Sequence, residues 1–318
     1  MKRLVLILLG IVLSLLDADA VIENYTKISM IGGMGSIEST IKTEIKGLKK
    51  AEDATIKITG GILGTVAGKP QRQVTITRLD KNVIWNVNHN QKNYTESPID
   101  SLNFIPMQEK PKEEKLEYEI VKSEFSVKAT GNKKPINSFP CSEYLATWTL
   151  ELQEIETKEK TQSVMKITLW VTPRSELIKK LEEEENEFNR MFMAKMKTKV
   201  SPEEMKRLGS EFITSMFAMK PDDVNKKMIN LKEELQKIEG YPIVTEIKWT
   251  LAEKSGEKER TAKDWDEMLA QALAKKGEDK SSGTDEAAFY SYSEVKSIKL
   301  GEVPDKNFEV PSGYKLVK

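Results

Sequence analysis

Stretch after stretch of this chain alternates apolar and polar residues one for one, and that period of two constrains the fold more than any other feature. Ile41, Thr43 and Ile45 alternate with Lys42, Glu44 and Lys46. Val74 and Ile76 alternate with threonines, and Val83, Trp85 and Val87 follow the turn Asp80-Lys81-Asn82. Val121, Phe125 and Val127 mark a further strand, and Tyr144, Ala146, Trp148, Leu150 and Leu152 mark another. Met165, Ile167, Leu169 and Val171 follow, ending at Pro173; Ile243, Thr245, Ile247, Trp249 and Leu251 repeat the pattern, and a last strand falls within Phe289–Leu300. One apolar and one polar face per strand predicts an antiparallel sheet with a single buried side.

Helical spacing takes over at about 174–239. Leu177, Leu181, Phe188, Phe192 and Met196 share one face of a first helix, whose acidic run Glu182–Glu185 reads as a solvated surface. Ser201-Pro202-Glu203-Glu204 is a helix start, with Met205, Leu208, Phe212, Met216 and Met219 as its stripe. A third helix begins near Pro221-Asp222, with Gly240 as its terminator, and a short one is expected at 264–275. Phe139-Pro140 before Trp148, and Tyr241-Pro242 before Trp249, read as two strands doing similar jobs.

The N-terminus has the form of a secretory leader. Lys2 and Arg3 precede an apolar run from Leu4 to Leu16, and Ala18-Asp19-Ala20 supplies a small-x-small cleavage pattern. Cleavage after Ala20 is expected, which makes the protein periplasmic or secreted and its mature part 21–318. No later stretch is long and apolar enough to span a bilayer, so the mature chain is not expected to be membrane-embedded. Lys+Arg and Asp+Glu number 50 each, which gives the chain no broad attraction to nucleic acid. Cys141 is the single cysteine, so no internal disulfide forms; it reads as a small buried apolar residue.

The residues offer little for catalysis. His89 is the one histidine and lies in a polar, Asn-rich turn, where solvent exposure is expected. One histidine and one distant cysteine do not build a zinc site or a nucleophile–base pair. Gly32-Gly33-Met34-Gly35 and Gly60-Gly61-Ile62-Leu63-Gly64 match neither phosphate-loop spacing and read as turns. The expectation is a protein that is not an enzyme and uses no cofactor or metal.

Thr77-Arg78-Leu79-Asp80 with Val83-Ile84-Trp85, then Lys92-Asn93-Tyr94-Thr95-Glu96, resembles the R-x-D … W … K-x-Y-x-E hairpin of a family of exported bacterial proteins of unknown function. The stretch from Thr130 to Asn137 leading to Cys141, Leu169-Trp170-Val171-Thr172, Gly240-Tyr241-Pro242 and the closing Phe308-Glu309-Val310-Pro311-Ser312-Gly313-Tyr314 extend that resemblance. The family is similar in fold to the LolA/LolB lipoprotein carriers. The resemblance implies an α+β class: a strongly curved antiparallel sheet, an unclosed half-barrel, with helices covering its concave face. It implies one such domain over 21–318, carrying the helical insertion at about 174–239.

The implied function is non-catalytic binding of an amphiphilic or apolar ligand, a lipid or lipoprotein acyl chain, in a sheet–helix cavity. The methionines of the helical segment suit such a surface, because their side chains are unbranched and adaptable. Candidate lining residues are Trp85, Phe125, Trp148, Leu169, Phe192, Met196, Phe212, Met216 and Trp249. The second reading is an envelope module that binds another protein or senses stress.

Overall fold

The computed structural model describes residues 19–29, 35–66, 68–101, 118–196, 231–251 and 289–317. Its strands are β1 (Ala20–Ser29), β2 (Ser36–Lys46), β3 (Lys49–Thr59), β4 (Gln71–Arg78), β5 (Val83–Asn88), β6 (Asn93–Pro98), β7 (Tyr118–Ile136), β8 (Phe139–Glu154), β9 (Lys160–Thr172), β10 (Tyr241–Leu251), β11 (Phe289–Leu300) and β12 (Lys315–Leu316). All belong to one sheet in the order β12-β6-β5-β4-β3-β2-β1-β11-β10-β9-β8-β7. The chain steps outward from β1 to β6, restarts at the opposite edge with β7, and steps inward until β11 pairs with β1. Neighbours are antiparallel except β12, which runs parallel to β6. The edge strands β7 and β12 are not paired to each other, so the sheet is not closed.

Local chemistry sets the hairpins. β7 and β8 are joined by Asn137-Ser138, both at positive φ (48° and 71°), the two-residue turn whose twist matches its strands. Asn82 and Lys92 supply positive φ at the ends of the next two turns. The helices are α1 (Gly61–Val66), α2 (Glu176–Lys195) and α3 (Leu231–Leu235). α2 begins where the Ser175 hydroxyl accepts from the Ile178 N–H. α1 corrects the reading of the second glycine cluster as turn alone.

The α+β expectation is overturned. Helix makes up 16% of the structure, and among the described residues helices covering a concave face are not found. Period-two alternation runs through most of the described residues, so one wide sheet rather than its helices sets the architecture. Within the 174–239 segment, α2 and α3 are present, while 197–230 lies outside the described residues, as do the helix expected at 264–275, the first glycine cluster up to Met34, and the leader up to Ala18. The expected cleavage after Ala20 falls one residue into β1. Asp19 is itself tied in, its carboxylate accepting from the Val303 N–H at 2.6 Å and lying 3.5 Å from Lys46 Nζ.

The sheet also lacks a single buried side. Directly paired residues share a face, so the register assigns every side chain. Ala20, Ile22 and Ile45 point to the face crossed by α2, here the helix face. There Ile178 and Leu181 pack with Ala20, Ile22, Cys141, Ile243 and Ile298. Phe188 and Met196, about two and four turns beyond Leu181, pack with Ile45, Leu79 and Ile99. On β4 and β5 the apolar residues Val74, Ile76, Val83, Trp85 and Val87 point the other way. They are covered by the C-terminal tail, which lays Val303, Phe308, Val310 and Tyr314 across this tail face before ending as β12.

Candidate functional site

Two lateral rows on the helix face form the most extended apolar surface that the register builds. Val127, Ala146, Ile167, Ile247, Ser291, Ile28, Ile37 and Ile58 are paired in succession across eight strands, from β7 to β3. All are apolar except Ser291, and the five isoleucines are half-buried. Beside this row runs a second one, five strands wide: Phe125, Trp148, Met165, Trp249 and Phe289. The two sequence echoes thus become the strands flanking β9, with Trp148 and Trp249 both registered against Met165.

The tryptophans keep their polar ends inside the face. Trp148 Nε1 donates to Ser123 Oγ at 2.9 Å, and Trp249 Nε1 donates to Ser163 Oγ. With both indole N–H groups satisfied by neighbouring hydroxyls, the rings act as purely apolar surface. Among the described residues, no buried side-chain nitrogen or oxygen lacks a partner.

The nine candidate residues separate. Phe125, Trp148 and Trp249 share the aromatic row, and Leu169 lies on the same face, opposite Tyr144 and Thr245. Phe192 and Met196 belong to the cluster around Ile45 and Leu79, with Phe192 stacked on Phe188 at 6.3 Å between centroids. Phe212 and Met216 lie outside the described residues. Trp85 is on the opposite face, in the tail core, donating from Nε1 to Glu96 at 2.7 Å. Sequence reasoning passed over Met165, Ile167, Ile247 and Phe289 as site residues, although all four sat in strands it had recognised.

Two of the motif blocks, Thr77 to Glu96 and Phe308 to Tyr314, meet on the tail face. Arg78 is buried and forks onto Asp80, with Nε to Oδ1 at 2.8 Å and Nη2 to Oδ2 at 2.6 Å. Its Nη1 donates to the Phe308 carbonyl at 3.2 Å and to Glu309. Lys81 reaches both oxygens of Glu309 at 2.9 Å. Two segments more than two hundred residues apart are thereby clamped together. Lys134 over the Trp170 ring, at 4.0 Å, joins two more of the blocks.

This clamp has a pH signature. The Arg78 fork holds the Asp80 carboxyl below its usual range. Burial pushes Glu309 up, but the bonds from Lys81 and Arg78 outweigh it and leave that carboxyl low as well. The unfolded chain takes up these protons near pH 4, the folded chain only at lower pH, so acid favours unfolding. The stability they add is complete above about pH 4 and is lost as pH falls through the depressed values. Arg78→Ala is expected to cost about 2–3 kcal/mol at neutral pH, and lysine, lacking the planar fork, restores little of it. Thermal melts from pH 7 to 3 should show a shallower acid decline in Arg78→Ala than in the wild type; parallel declines would contradict the clamp.

Three local expectations change. His89 is half-buried, its Nδ1 2.8 Å from the Tyr314 hydroxyl, and burial followed by the nearby Arg72 lowers its pKa. Glu185, read as part of a solvated run, is half-buried; its pKa is raised by burial, Lys50 opposing and Glu182 reinforcing the shift. It faces Tyr241, whose hydroxyl burial and then Glu185 and Glu182 push up to about 12. Gly240, read as a helix terminator, lies beyond α3 and against the end of β9. Cys141 is buried as read, and burial raises its thiol pKa.

On β4–β6 the helix face turns polar. Gln71, Gln73, Asn86, Asn88, Asn93 and Thr95 line a shallow groove of about 500 Å³. Among the described residues, no group of three or more acidic, histidine or cysteine side chains is placed to hold a metal ion. No described helix is long and apolar enough to cross a membrane. Set against known proteins, the chain matches no family model, no curated protein and no solved structure.

Proposed function

We propose that this is an exported binding protein of the cell envelope that holds an amphiphilic or apolar ligand against the helix face of its sheet, without turning it over chemically. The observation that carries the reading is the pair of apolar rows. At about 4.8 Å per strand, eight strands span roughly 33 Å, about twice the roughly 15 Å depth of one bilayer leaflet's hydrocarbon. An acyl chain laid across the strands meets the half-buried isoleucines of β9, β10, β1, β2 and β3, interrupted only by Ser291 on β11. Each 100 Å² of apolar ligand surface withdrawn from water contributes about 2.5 kcal/mol. The leader-like N-terminus is consistent with the envelope location.

The test is native mass spectrometry with lipid extraction, on protein purified without detergent from its own envelope fraction. Near-stoichiometric bound lipid or acyl species is the expected result. A clean apo mass with no later uptake of alkyl probe contradicts the reading.

A protein partner is the second reading, favoured by β7. Among the described residues this 19-residue edge strand pairs with β8 on one side only, and its Val127 N–H is taken up by the Glu234 carboxylate of α3 at 2.8 Å. An open strand edge is a template for a strand from another chain.

A further inference from the structure

We propose that the ligand's polar end is uncharged and hydroxyl-rich, as in a glycolipid or alkyl glycoside, and that it sits in the amide-lined groove on β4–β6. The inference rests on the binding reading above and names the class of headgroup. The groove and the apolar rows share one face and one register: Ile41, Ala54, Gln73, Asn88 and Asn93 are paired in succession from β2 to β6. Ile56 on β3 is paired directly with Gln71. The surface thus passes from isoleucine to carboxamide within one strand spacing, about 5 Å.

The side chains themselves select the headgroup. Each carboxamide offers two N–H donors and an acceptor oxygen, which matches hydroxyls that both donate and accept. Of the charged residues on the lining, Arg72 alternates away from Gln71 and Gln73 and is forked onto Asp53, at 2.9 Å from Nε to Oδ1 and 2.6 Å from Nη2 to Oδ2. It raises no counter-charge in the groove. In a chain with 31% charged residues, a lining whose polar groups, apart from the Asp53-paired Arg72, are amides and one hydroxyl disfavours carboxylate, phosphate and ammonium headgroups, which need an opposite charge when partly desolvated. Part of the lining is already ordered: Thr75 donates to Asn86 Oδ1 at 3.1 Å, and Asn88 Oδ1 accepts from the Gln91 N–H at 3.0 Å.

Calorimetric titration with three probes of one chain length, each below its micelle-forming concentration, tests this: dodecyl maltoside, dodecanoate and dodecyltrimethylammonium. The maltoside is expected to bind at least about tenfold more tightly than either charged probe, the equivalent of one unmet polar requirement. Gln71→Leu with Gln73→Leu, both exposed positions, should remove that preference while leaving the melting curve unchanged. Equal affinities for the three probes, or a preference that survives the double substitution, overturn the headgroup assignment and leave the binding reading standing. Binding of none of them overturns both.

Discussion

Phe308→Ala is expected to cost about 3–5 kcal/mol, because a fully enclosed aromatic ring is deleted from a core that cannot close around the gap. Phe308 has no exposed surface and sits on the 3₁₀ turn Asp305–Phe308, among Ala51, Val74, Ile76, Val83 and Trp85. The turn is held from beneath by Lys49 to Asp305 at 2.8 Å and by Asn307 to Glu44 at 3.1 Å. Those surface bonds are individually weak, and they orient the turn more than they secure it. The ring supplies the grip on the tail. Phe308→Leu keeps much of the apolar volume and should lose far less. Urea unfolding measures the difference, and protease sensitivity of the 301–317 segment in Phe308→Ala shows whether the tail comes away first. A Phe308→Ala protein as stable as Phe308→Leu would mean that the tail face is not a packed core.

Gly240→Ala is expected to be comparably damaging for a different reason. A Cβ at this position meets the Thr172 carbonyl oxygen at 2.3 Å and Val171 Cγ1 at 2.6 Å, with φ at +129°. Neither neighbour is free to yield. Thr172 is paired with Tyr241 at the end of the β9–β10 ladder, and Val171 is buried. The substitution must either open that ladder or shift β10, a cost of about 3 kcal/mol or more. Gly60→Ala is the control: its φ is +65° with nothing within 4 Å of the added methyl, so only the conformational cost of about 1–2 kcal/mol applies. Denaturant midpoints of the two variants separate crowding from backbone preference, and equal losses would mean that the close approach at Gly240 carries no weight.

Eight strands were legible because alternation runs through them, and the turn between β4 and β5 because Asn82 stands where positive φ is needed, whereas β1, β6 and β12 went unread. The stripe Leu181, Phe188 and Met196 likewise made α2 legible, while its cap at Ser175 was not read. What alternation does not carry is which face of the sheet a strand's apolar side joins. Trp85 and Trp148 have the same local pattern, yet pairing places them on opposite faces. β3 shows where the change occurs: Ala51 points to the tail face, while Ala54, Ile56 and Ile58 point to the helix face. A strand that serves both faces has no single phase, and β3 was not read as a strand. The apolar rows were invisible for a related reason, since each draws one residue from each strand and exists only once the register is known. The Arg78 clamp joins residues far apart in sequence, and no spacing announces it.

The central claim is that ligand lies on the helix face, and adjacent residues of β3 separate that face from its opposite. Ile58 belongs to the eight-strand row and lies beside the groove, whereas the exposed Lys57 points away from it. The direct measurement is dodecyl maltoside affinity for Ile58→Glu and Lys57→Glu beside the wild type, with thermal melts confirming that both variants fold. A carboxylate set among the isoleucines should weaken binding by at least about tenfold, while the same charge one residue earlier leaves it unchanged. Equal affinity for both variants would contradict binding on this face.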